Sequence, residues 1–333
     1  MTAEAAPRTG LIVGSGAWHV LRRGATSLSP GGRGQGEGAR RRESPSPHPS
    51  PVQGEGEAGG FDLGDGAPHE TPFGPSRPIF EARLPGGREV LLLTRHGEAG
   101  YDLGAWAVPY RANLWALKDR GADTVLATCA CGGIDPALAV GTFVVPHDLL
   151  DRTTRRAKTF FERSGLGVLR HADPFCPSCR SALLASLAEA GLAHAAEGVC
   201  AVTDGPRLET PAEIRAYASL GATVAGMTLA PEFALARELE MCYAPLLWVV
   251  NPAEGVLERP QVPDVLFEGM ATVEEQAAAD AAAERVPGVL EAALARLDAG
   301  RSCYCRRAMQ RYRDEGVIGD DWRGWVDAPE PRS

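Results

Sequence analysis

Residues 205–227 read GPRLETPAEIRAYASLGATVAGM, and this stretch decides the fold because it joins a helix start, a helix and a strand within a short distance. A helix is predicted over 212–219, with Thr210 as its N-cap, Pro211 at its first position and Glu213 completing a capping box. Glu209 stands just outside this helix start. A loop between strand and helix is where open α/β sheets place groups that bind ligands.

Strand-like and helix-like runs alternate along most of the remaining chain. Strands are predicted over 10–13, 88–93, 123–128, 142–145, 198–202, 223–226 and 243–250. Helices are predicted over 110–120, 179–190, 212–219, 231–240 and 273–297. This alternation indicates an α/β fold, in which helices cover the faces of a sheet. At 333 residues the chain has room for one large domain or two ordinary ones.

The segment at about 24–60 differs from the rest, because Gly, Pro, Ser, Arg and Glu dominate it. Such a composition buries too little apolar surface to offset the entropy lost on ordering, so we expect disorder. We interpret the segment as an insertion in a surface loop, since loop closure becomes only slowly more costly with length. A linker between two domains is the alternative, although few residues precede the segment.

Charge and hydropathy exclude several classes of function. A formal net charge of -9 and a pI near 5.4 argue against nucleic-acid binding, which needs Lys and Arg against phosphates. No apolar run approaches the roughly 20 residues of a membrane span, and the start MTAEAAPRTG does not resemble a signal peptide. The eight cysteines suit reduced, buried thiols. We therefore expect a cytoplasmic protein with a small-molecule substrate and no membrane or nucleic-acid partner.

Three apolar runs each end on small or cationic residues. GSG at 14–16 follows the first, RHG at 95–97 ends the second, and TCACGG at 128–133 closes the third. Glycines let backbone amides approach an anion, and an arginine offers a planar fork to phosphate oxygens. Each stretch alone also fits an ordinary turn or a solvated strand end. Together at one sheet edge, they would form one phosphate site.

Five longer stretches carry a resemblance to a known family. They are TPFGPSRPIF (71–80), LLLTRHG (91–97), PYRANLWALKDRGAD (109–123), ATCACGGIDPALAVGTFVVPHDLLDRTT (127–154) and DPFCPSCR (173–180). These motifs resemble the purine nucleoside phosphorylase and methylthioadenosine phosphorylase family. The resemblance implies a mixed α/β sheet flanked by helices in one domain over about 1–300, interrupted by the insertion and followed by a C-terminal extension at 301–333. It also implies a homotrimer, or a dimer of trimers, in which inorganic phosphate cleaves the N-glycosidic bond to give a free base and a pentose 1-phosphate.

Matching motif positions imply roles for individual residues. The residues that would hold phosphate are Ser15, Arg95, His96, Cys129, Ala130 and Thr228. Met227 would lie under the ribose. His171 would reach the sugar of a neighbouring subunit, and a surface histidine is the alternative. His96 and Asn251 would be catalytic, the first at the phosphate nucleophile and the second at N7 of the departing base.

Glu209 and Asn251 fall where the 6-oxopurine-selective branch of the family keeps a base-binding glutamate and asparagine. A carboxylate only accepts hydrogen bonds, whereas an amide both donates and accepts. Glu209 can therefore accept a hydrogen bond from N1–H of a 6-oxopurine, and Asn251 can donate one to O6 or N7. Methylthioadenosine phosphorylases have aspartates where this chain has Asn251 and Ala253. We therefore predict hypoxanthine or guanine as the base.

The substituent at the 5′ carbon of the sugar is predicted from a missing histidine and an apolar stretch of sequence. Phosphorylases of inosine and guanosine use a late histidine there, but no histidine follows His194 in this chain. Residues 262–270, VPDVLFEGM, are largely apolar and suit a methylthio group. The chain accordingly resembles the S-methyl-5′-thioinosine phosphorylase subgroup most. Methylthioadenosine and inosine or guanosine phosphorylases are the alternatives.

The loop after Gly97 departs from the family pattern, since Pro109 replaces the usual asparagine before YRAN. This departure leaves two further hypotheses open. One is a catalytically weak relative that only binds nucleosides, and the other is a hydrolase that uses water. Dependence of cleavage on phosphate distinguishes all three.

The cysteines do not show the spacing of a metal site. Cys176-x-x-Cys179 lacks a second pair at suitable distance along the chain, and Cys303-x-Cys305 is too closely spaced for a zinc ribbon. We therefore expect no metal and no organic cofactor, with phosphate as co-substrate. Related phosphorylases carry a similar late CxC, which implies a structural or redox-linked role, and two incidental thiols are the alternative.

Overall fold

A computed structural model of the chain describes residues 8–14, 62–98, 102–259, 270–298 and 301–326. Three features of the sequence lie outside these ranges: the insertion at about 24–60, Ser15, and all but the last residue of 262–270. Within the described ranges, no helix combines the length and apolar character that crossing a membrane requires.

The described residues contain eleven strands that form one mixed sheet. In chain order they are β1 (Arg8–Val13), β2 (Asp62–Ala67), β3 (Ile79–Arg83), β4 (Glu89–Thr94), β5 (Ala122–Gly133), β6 (Phe143–Val144), β7 (Asp148–Asp151), β8 (His194–Ala195), β9 (Val199–Val202), β10 (Val224–Gly226) and β11 (Cys242–Pro252). Their order along the sheet is β2-β3-β4-β1-β5-β10-β9-β7, while β11 pairs with β5 and β6, and β6 with β8. The predicted mixed α/β sheet is confirmed.

Helices cover both faces of this sheet. They are α1 (Tyr110–Asp119), α2 (Pro177–Glu189), α3 (Pro211–Ser219), α4 (Leu229–Glu238), α5 (Val273–Asp298) and the short α6 (Gln310–Asp314). Successive residues of a strand point to opposite faces. Leu11 and Trp248 accordingly pack with α2 and α5, whereas Ile12 and Leu247 pack with α1 and α4. All five predicted helices are present, each within two residues of its predicted bounds.

The first strand lies in the middle of the sheet. Leu11 of β1 stands opposite Leu92 of β4 and Leu126 of β5, and both pairings are parallel. Strands from before and after the predicted insertion therefore pair in the same sheet. The C-terminal segment also packs on this core, since Arg313 pairs with Glu240 at 2.9 Å.

The strand β5 is longer than predicted. The sequence predicts a strand that ends at 128, but the strand continues to Gly133. Gly132 stands opposite Ala225 of β10 on one side and Asn251 of β11 on the other. The predicted strand end is wrong, because strands on both sides hold Gly132 and Gly133 in extended backbone.

Candidate functional site

The carboxyl ends of β1 and β4 meet beside Thr128, in the middle of β5. The backbone N–H of Arg95 donates to the carbonyl of Val13 at 3.1 Å. The N–H of Gly14 donates to Oγ1 of Thr128 at 3.2 Å, and Nη1 of Arg95 donates to the carbonyl of Thr128 at 3.1 Å. Three segments far apart in sequence are thereby joined by direct hydrogen bonds.

Arg95 is fully buried and is held by a carboxylate. Its Nε and Nη2 donate to the two carboxylate oxygens of Glu232, at 2.6 and 3.0 Å. Tyr243 donates its hydroxyl to the same carboxylate at 2.7 Å. A buried charge is stable only when it is paired and hydrogen-bonded, and Glu232 meets that need for Arg95. A guanidinium carries five N–H groups, so the contacts with Glu232 and Thr128 leave donors for a further anion.

His96 lies next to Arg95 and is a neutral ring. Burial, followed by the nearby charge of Arg95, lowers the pKa of His96 to about 4. Its Nδ1 lies 2.9 Å from the carbonyl of Leu103, and the N–H of Leu103 donates to the carbonyl of His96 at 3.1 Å. A carbonyl only accepts, so Nδ1 carries the proton and Nε2 carries a lone pair. This tautomer can accept from a protonated phosphate oxygen.

Gly97 allows the chain to turn immediately after His96. Its φ is +103°, which favours glycine. A Cβ at this position would also overlap Asp102 and Arg77, whose side chains pair at 3.4 Å. The loop that departs from the family pattern therefore holds His96 through Leu103 and is itself fixed through Asp102.

Cys129, Ala130 and Thr228 lie together at the next strand ends. Thr228 donates its hydroxyl to Sγ of Cys129 at 3.4 Å, and that thiol donates to the carbonyl of Ala130 at 3.0 Å. Burial raises the pKa of Cys129, so the thiol is protonated. Thr228 precedes α4, the helix that carries Glu232. The structure therefore brings five of the six predicted phosphate residues to one region, and the sixth, Ser15, lies outside the described residues.

Glu209 sits at the start of α3 and is anchored by a hydroxyl. Thr203 donates its Oγ1 to Oε1 of Glu209 at 2.5 Å. The predicted capping box is confirmed, since the Thr210 hydroxyl accepts from the N–H of Glu213 and the Glu213 carboxylate accepts from the N–H of Thr210. Glu209 is half-buried, so its carboxylate remains accessible to a ligand.

Met227 connects the predicted phosphate residue Thr228 with the loop that carries Glu209. It directly precedes Thr228, and its sulfur packs over Gly205, at the start of the loop that carries Glu209. Gly205 has a φ of +66°, and a Cβ there would lie 2.7 Å from the sulfur of Met227. Only glycine therefore permits this packing.

Asn251 lies near the end of β11, just beyond an irregularity in its pairing with β5. Its Nδ2 donates to the carbonyl of Pro252 at 2.7 Å, which fixes the orientation of the amide and leaves one N–H and the oxygen for a ligand. The turn that follows packs on α3, since a Cβ at Gly255 would lie 2.6 Å from Cβ of Pro211. The strand end carrying Asn251 thus abuts the helix start that follows Glu209.

His171 is placed apart from these residues. Its ring packs edge-on against Phe233 of α4 at 5.1 Å, and burial lowers its pKa. Its described contacts do not include Glu209, Met227 or Asn251. A role at the sugar of a neighbouring subunit stays a prediction.

Three residues that support the site were missed from the sequence. They are Glu232, which pairs with Arg95, Thr203, which holds Glu209, and Arg156, which donates to the carbonyls of Ala230 and Thr203 at 2.5 and 3.1 Å. A signal for Glu232 was available, because a lone carboxylate in the apolar helix LAPEFALA needs a buried cation as partner. No comparable signal marks Thr203 or Arg156.

Comparisons with known proteins show the family to which the chain is similar. A sequence model of the phosphorylase superfamily matches residues 56–295. A "Probable S-methyl-5′-thioinosine phosphorylase" of Pseudomonas syringae pv. tomato is 44% identical over 221 residues, covering 64% of this chain and 89% of that protein. An "S-methyl-5′-thioadenosine phosphorylase" of Mycolicibacterium smegmatis is 43% identical over 188 residues, covering 56% of this chain and 70% of that protein.

A solved structure shows the same fold. It is a methylthioadenosine phosphorylase from an Antarctic soil metagenomic library, with a TM-score of 0.68 and 24% identity, and the match covers 92% of each chain.

Proposed function

This chain belongs to the phosphorylase superfamily, and we propose that it cleaves 6-oxopurine nucleosides with inorganic phosphate, S-methyl-5′-thioinosine being its substrate. The products are hypoxanthine and 5-methylthioribose 1-phosphate. The reaction makes the protein a pentosyltransferase of the purine nucleoside phosphorylase type.

One observation supports this proposal: a series of contacts joins the predicted phosphate residues to the loop that carries Glu209. Arg95 donates to the carbonyl of Thr128, Thr228 donates to the neighbouring Cys129, and Met227, next to Thr228, packs over Gly205 at the start of that loop. A nucleoside in contact with phosphate needs these groups in the same order, with anion donors first, an apolar support for the sugar second and a polar base reader third.

The chemistry requires charge stabilisation at two places. A phosphate oxygen forms a bond to C1′ while the bond from C1′ to N9 breaks, and the purine leaves with the electron pair. Positive charge develops on the sugar and negative charge on the base. The remaining N–H groups of Arg95 and the hydroxyl of Thr228 orient phosphate, and the neutral His96 accepts from its protonated oxygen. Donors fixed before the reaction stabilise developing charge most effectively.

Glu209 and Asn251 select the base. The carboxylate of Glu209, oriented by Thr203, accepts a hydrogen bond from N1–H of a 6-oxopurine, and a 6-aminopurine has no hydrogen on N1. Asn251 holds one N–H on Pro252 and directs the second to O6 or N7 of the leaving purine. A site with such fixed polar partners can reject the wrong analogue by about 10⁴-fold. The relative from Pseudomonas syringae carries the name of the matching activity, whereas the one from Mycolicibacterium smegmatis carries that of the competing one.

We also assign a cytoplasmic location and a homotrimer or a dimer of trimers, on the grounds of composition and family resemblance. His171 would then face the sugar bound by a neighbouring subunit. Size-exclusion chromatography with light scattering tests the assembly directly.

The test of the reaction is its dependence on phosphate. Full-length protein, dialysed free of phosphate, is mixed with S-methyl-5′-thioinosine, and hypoxanthine release is followed by chromatography with and without added phosphate. We expect release only with phosphate, together with the sugar phosphate as second product. Release at an equal rate without phosphate would identify a hydrolase, and no release in either case would contradict the proposed substrate; no release from S-methyl-5′-thioadenosine, inosine and guanosine as well would indicate a binding protein.

A matched pair of variants tests the site at the same time. Thr228→Val removes the hydroxyl at the proposed phosphate site and should raise KM for phosphate about tenfold or more. Thr124→Val changes an equally buried threonine in the first half of β5 and should leave that KM unchanged. Equal effects of the two variants would argue against the proposed phosphate site.

A further inference from the structure

Four cysteines from three separate parts of the chain converge on one point. They are Cys176, directly before α2, Cys242, the first residue of β11, and Cys303 and Cys305, which follow α5. Their sulfur atoms all lie within 4.8 Å of one another, and those of Cys242 and Cys303 are 3.4 Å apart. All four are free thiols. The spacing of the cysteines along the sequence argues against a metal site, because it does not show that Cys242 lies beside Cys176 and the Cys303/Cys305 pair in the fold.

We propose that these four thiols form a structural zinc site. A tetrahedral zinc centre with sulfur at about 2.3 Å places its sulfurs about 3.8 Å apart, and the observed sulfur separations reach that value by changes of about an ångström or less. Four mutually close sulfurs match the corners of a tetrahedron, whereas two disulfides would need only two separate close pairs. A closed set of four thiolates is the ligand set of structural zinc, because soft sulfur ligands suit this ion.

The surroundings of the cluster suit a buried, charged centre with one access route. Cys176, Cys242 and Cys305 are buried, while Cys303 is half-exposed and offers a path for the ion. Four thiolates around Zn²⁺ carry a net charge of about -2. Lys118 lies within electrostatic range of Cys242, so a cation flanks the site. Binding releases one proton from each thiol that becomes a ligand, and no electron is transferred.

The site would attach the C-terminal segment to the catalytic core. Cys303 and Cys305 flank Tyr304, whose hydroxyl donates to Asp173 at 3.0 Å. Arg237 of α4 stacks on Tyr304 at 5.0 Å and donates to the carbonyl of Asp173 at 2.6 Å. Zinc at the four sulfurs would therefore fix the end of the chain against α4 and against the loop that carries His171.

The experiment measures metal content in the full-length chain. Protein purified under reducing conditions without chelator is gel-filtered, and zinc per chain is measured by mass spectrometry of the metal. Protein stripped of metal is then titrated with Co²⁺ as a spectroscopic probe, because a tetrahedral cobalt thiolate site absorbs strongly in the visible range. Cys305→Ala and Cys303→Ala each remove one ligand. Cys200→Ala is the matched control, since Cys200 is a fully buried free thiol that is not one of the four.

We expect about one zinc per chain in the parent and in Cys200→Ala, and a loss to below about a tenth of that in the other two variants. Circular dichroism establishes which variants fold, and the half-exposed Cys303 gives the variant least disturbing to packing. Alkylation of the freshly unfolded parent should label all eight thiols. The proposal is overturned if fewer than eight are labelled because disulfides hold the cluster, if the reduced protein retains neither zinc nor cobalt, or if Cys200→Ala loses as much zinc as Cys305→Ala.

Discussion

Replacing Glu232 by Gln tests how Arg95 is held at the phosphate end of the site. The carboxylate accepts from Nε and Nη2 of Arg95 and from the hydroxyl of Tyr243, at 2.6, 3.0 and 2.7 Å. A glutamine keeps one oxygen and replaces the other by an NH₂ group, which only donates. Whichever way the amide turns, at least one donor of Arg95 or Tyr243 faces another donor, and the guanidinium loses its counter-charge.

The magnitude follows from burial. The side chain of Arg95 is 0% exposed and that of Glu232 is 1% exposed, so solvent does not screen the pair. Removing one partner of a buried ion pair costs about 3–5 kcal/mol. Tyr243→Phe is the matched control, because it removes one hydrogen bond to the carboxylate and leaves the ion pair in place. Loss of a hydrogen bond to a charged group costs about 1.5–3 kcal/mol.

The assay is urea unfolding of both variants and the parent, followed by circular dichroism at one fixed protein concentration. We expect Glu232→Gln to lower the free energy of unfolding by more than Tyr243→Phe does. We also expect Glu232→Gln to raise KM for phosphate at least tenfold, since Arg95 is no longer oriented. The reasoning is refuted if Glu232→Gln destabilises the protein no more than Tyr243→Phe and leaves KM for phosphate unchanged.

Three further predictions concern the base reader and His96. Asn251→Asp should shift the preference towards 6-aminopurines by about one to two decades in relative kcat/KM. The reason is that one carboxyl oxygen donates its proton to the carbonyl of Pro252 while the other accepts from a 6-amino group. An unchanged ratio of 6-aminopurine to 6-oxopurine turnover in an active variant would show that this side chain does not face the purine. Thr203→Val should lower kcat/KM for S-methyl-5′-thioinosine about tenfold without changing KM for phosphate, since it removes only the hydrogen bond that orients Glu209. A change in KM for phosphate alone would contradict this prediction. The folded pKa of His96, about 4, lies below its ordinary value of 6.5, so its contribution to stability is complete above pH 6.5 and is lost as the pH falls towards 4. The change in unfolding free energy between pH 7 and pH 4.5 should therefore be about 2–3 kcal/mol smaller in His96→Asn, and equal changes in variant and parent would contradict the burial of a neutral ring.

Much of the fold could be predicted from the sequence because its signals are local. The capping box at Thr210 and Glu213 fixed the start of α3, and apolar runs located the central strands. The extension of β5 to Gly133 could not be predicted, because glycines ordinarily favour turns and only pairing with β10 and β11 keeps them extended. Short strands such as β8 (His194–Ala195) were missed for the same reason, since two residues form a strand only when β6 lies beside them.

The site divides in the same way. Residues that belong to contiguous motifs, such as Arg95 and Glu209, could be found because each motif has its own composition. The partners that hold them could not, because Glu232 and Thr203 reach their targets only through folding. The four-cysteine cluster is the extreme case, since its members are spread from Cys176 to Cys305 and no spacing rule links them.

The central claim is that Glu209 and Asn251 read a 6-oxopurine, and the ratio of kcat/KM for S-methyl-5′-thioinosine to that for S-methyl-5′-thioadenosine tests it most directly. The two nucleosides share the same sugar and differ only at C6 and N1 of the base, so the ratio isolates base recognition from the 5′ side. Measured on the parent protein at saturating phosphate, the ratio should exceed about 100 in favour of the thioinosine. A ratio of one or below would contradict the assignment of both residues.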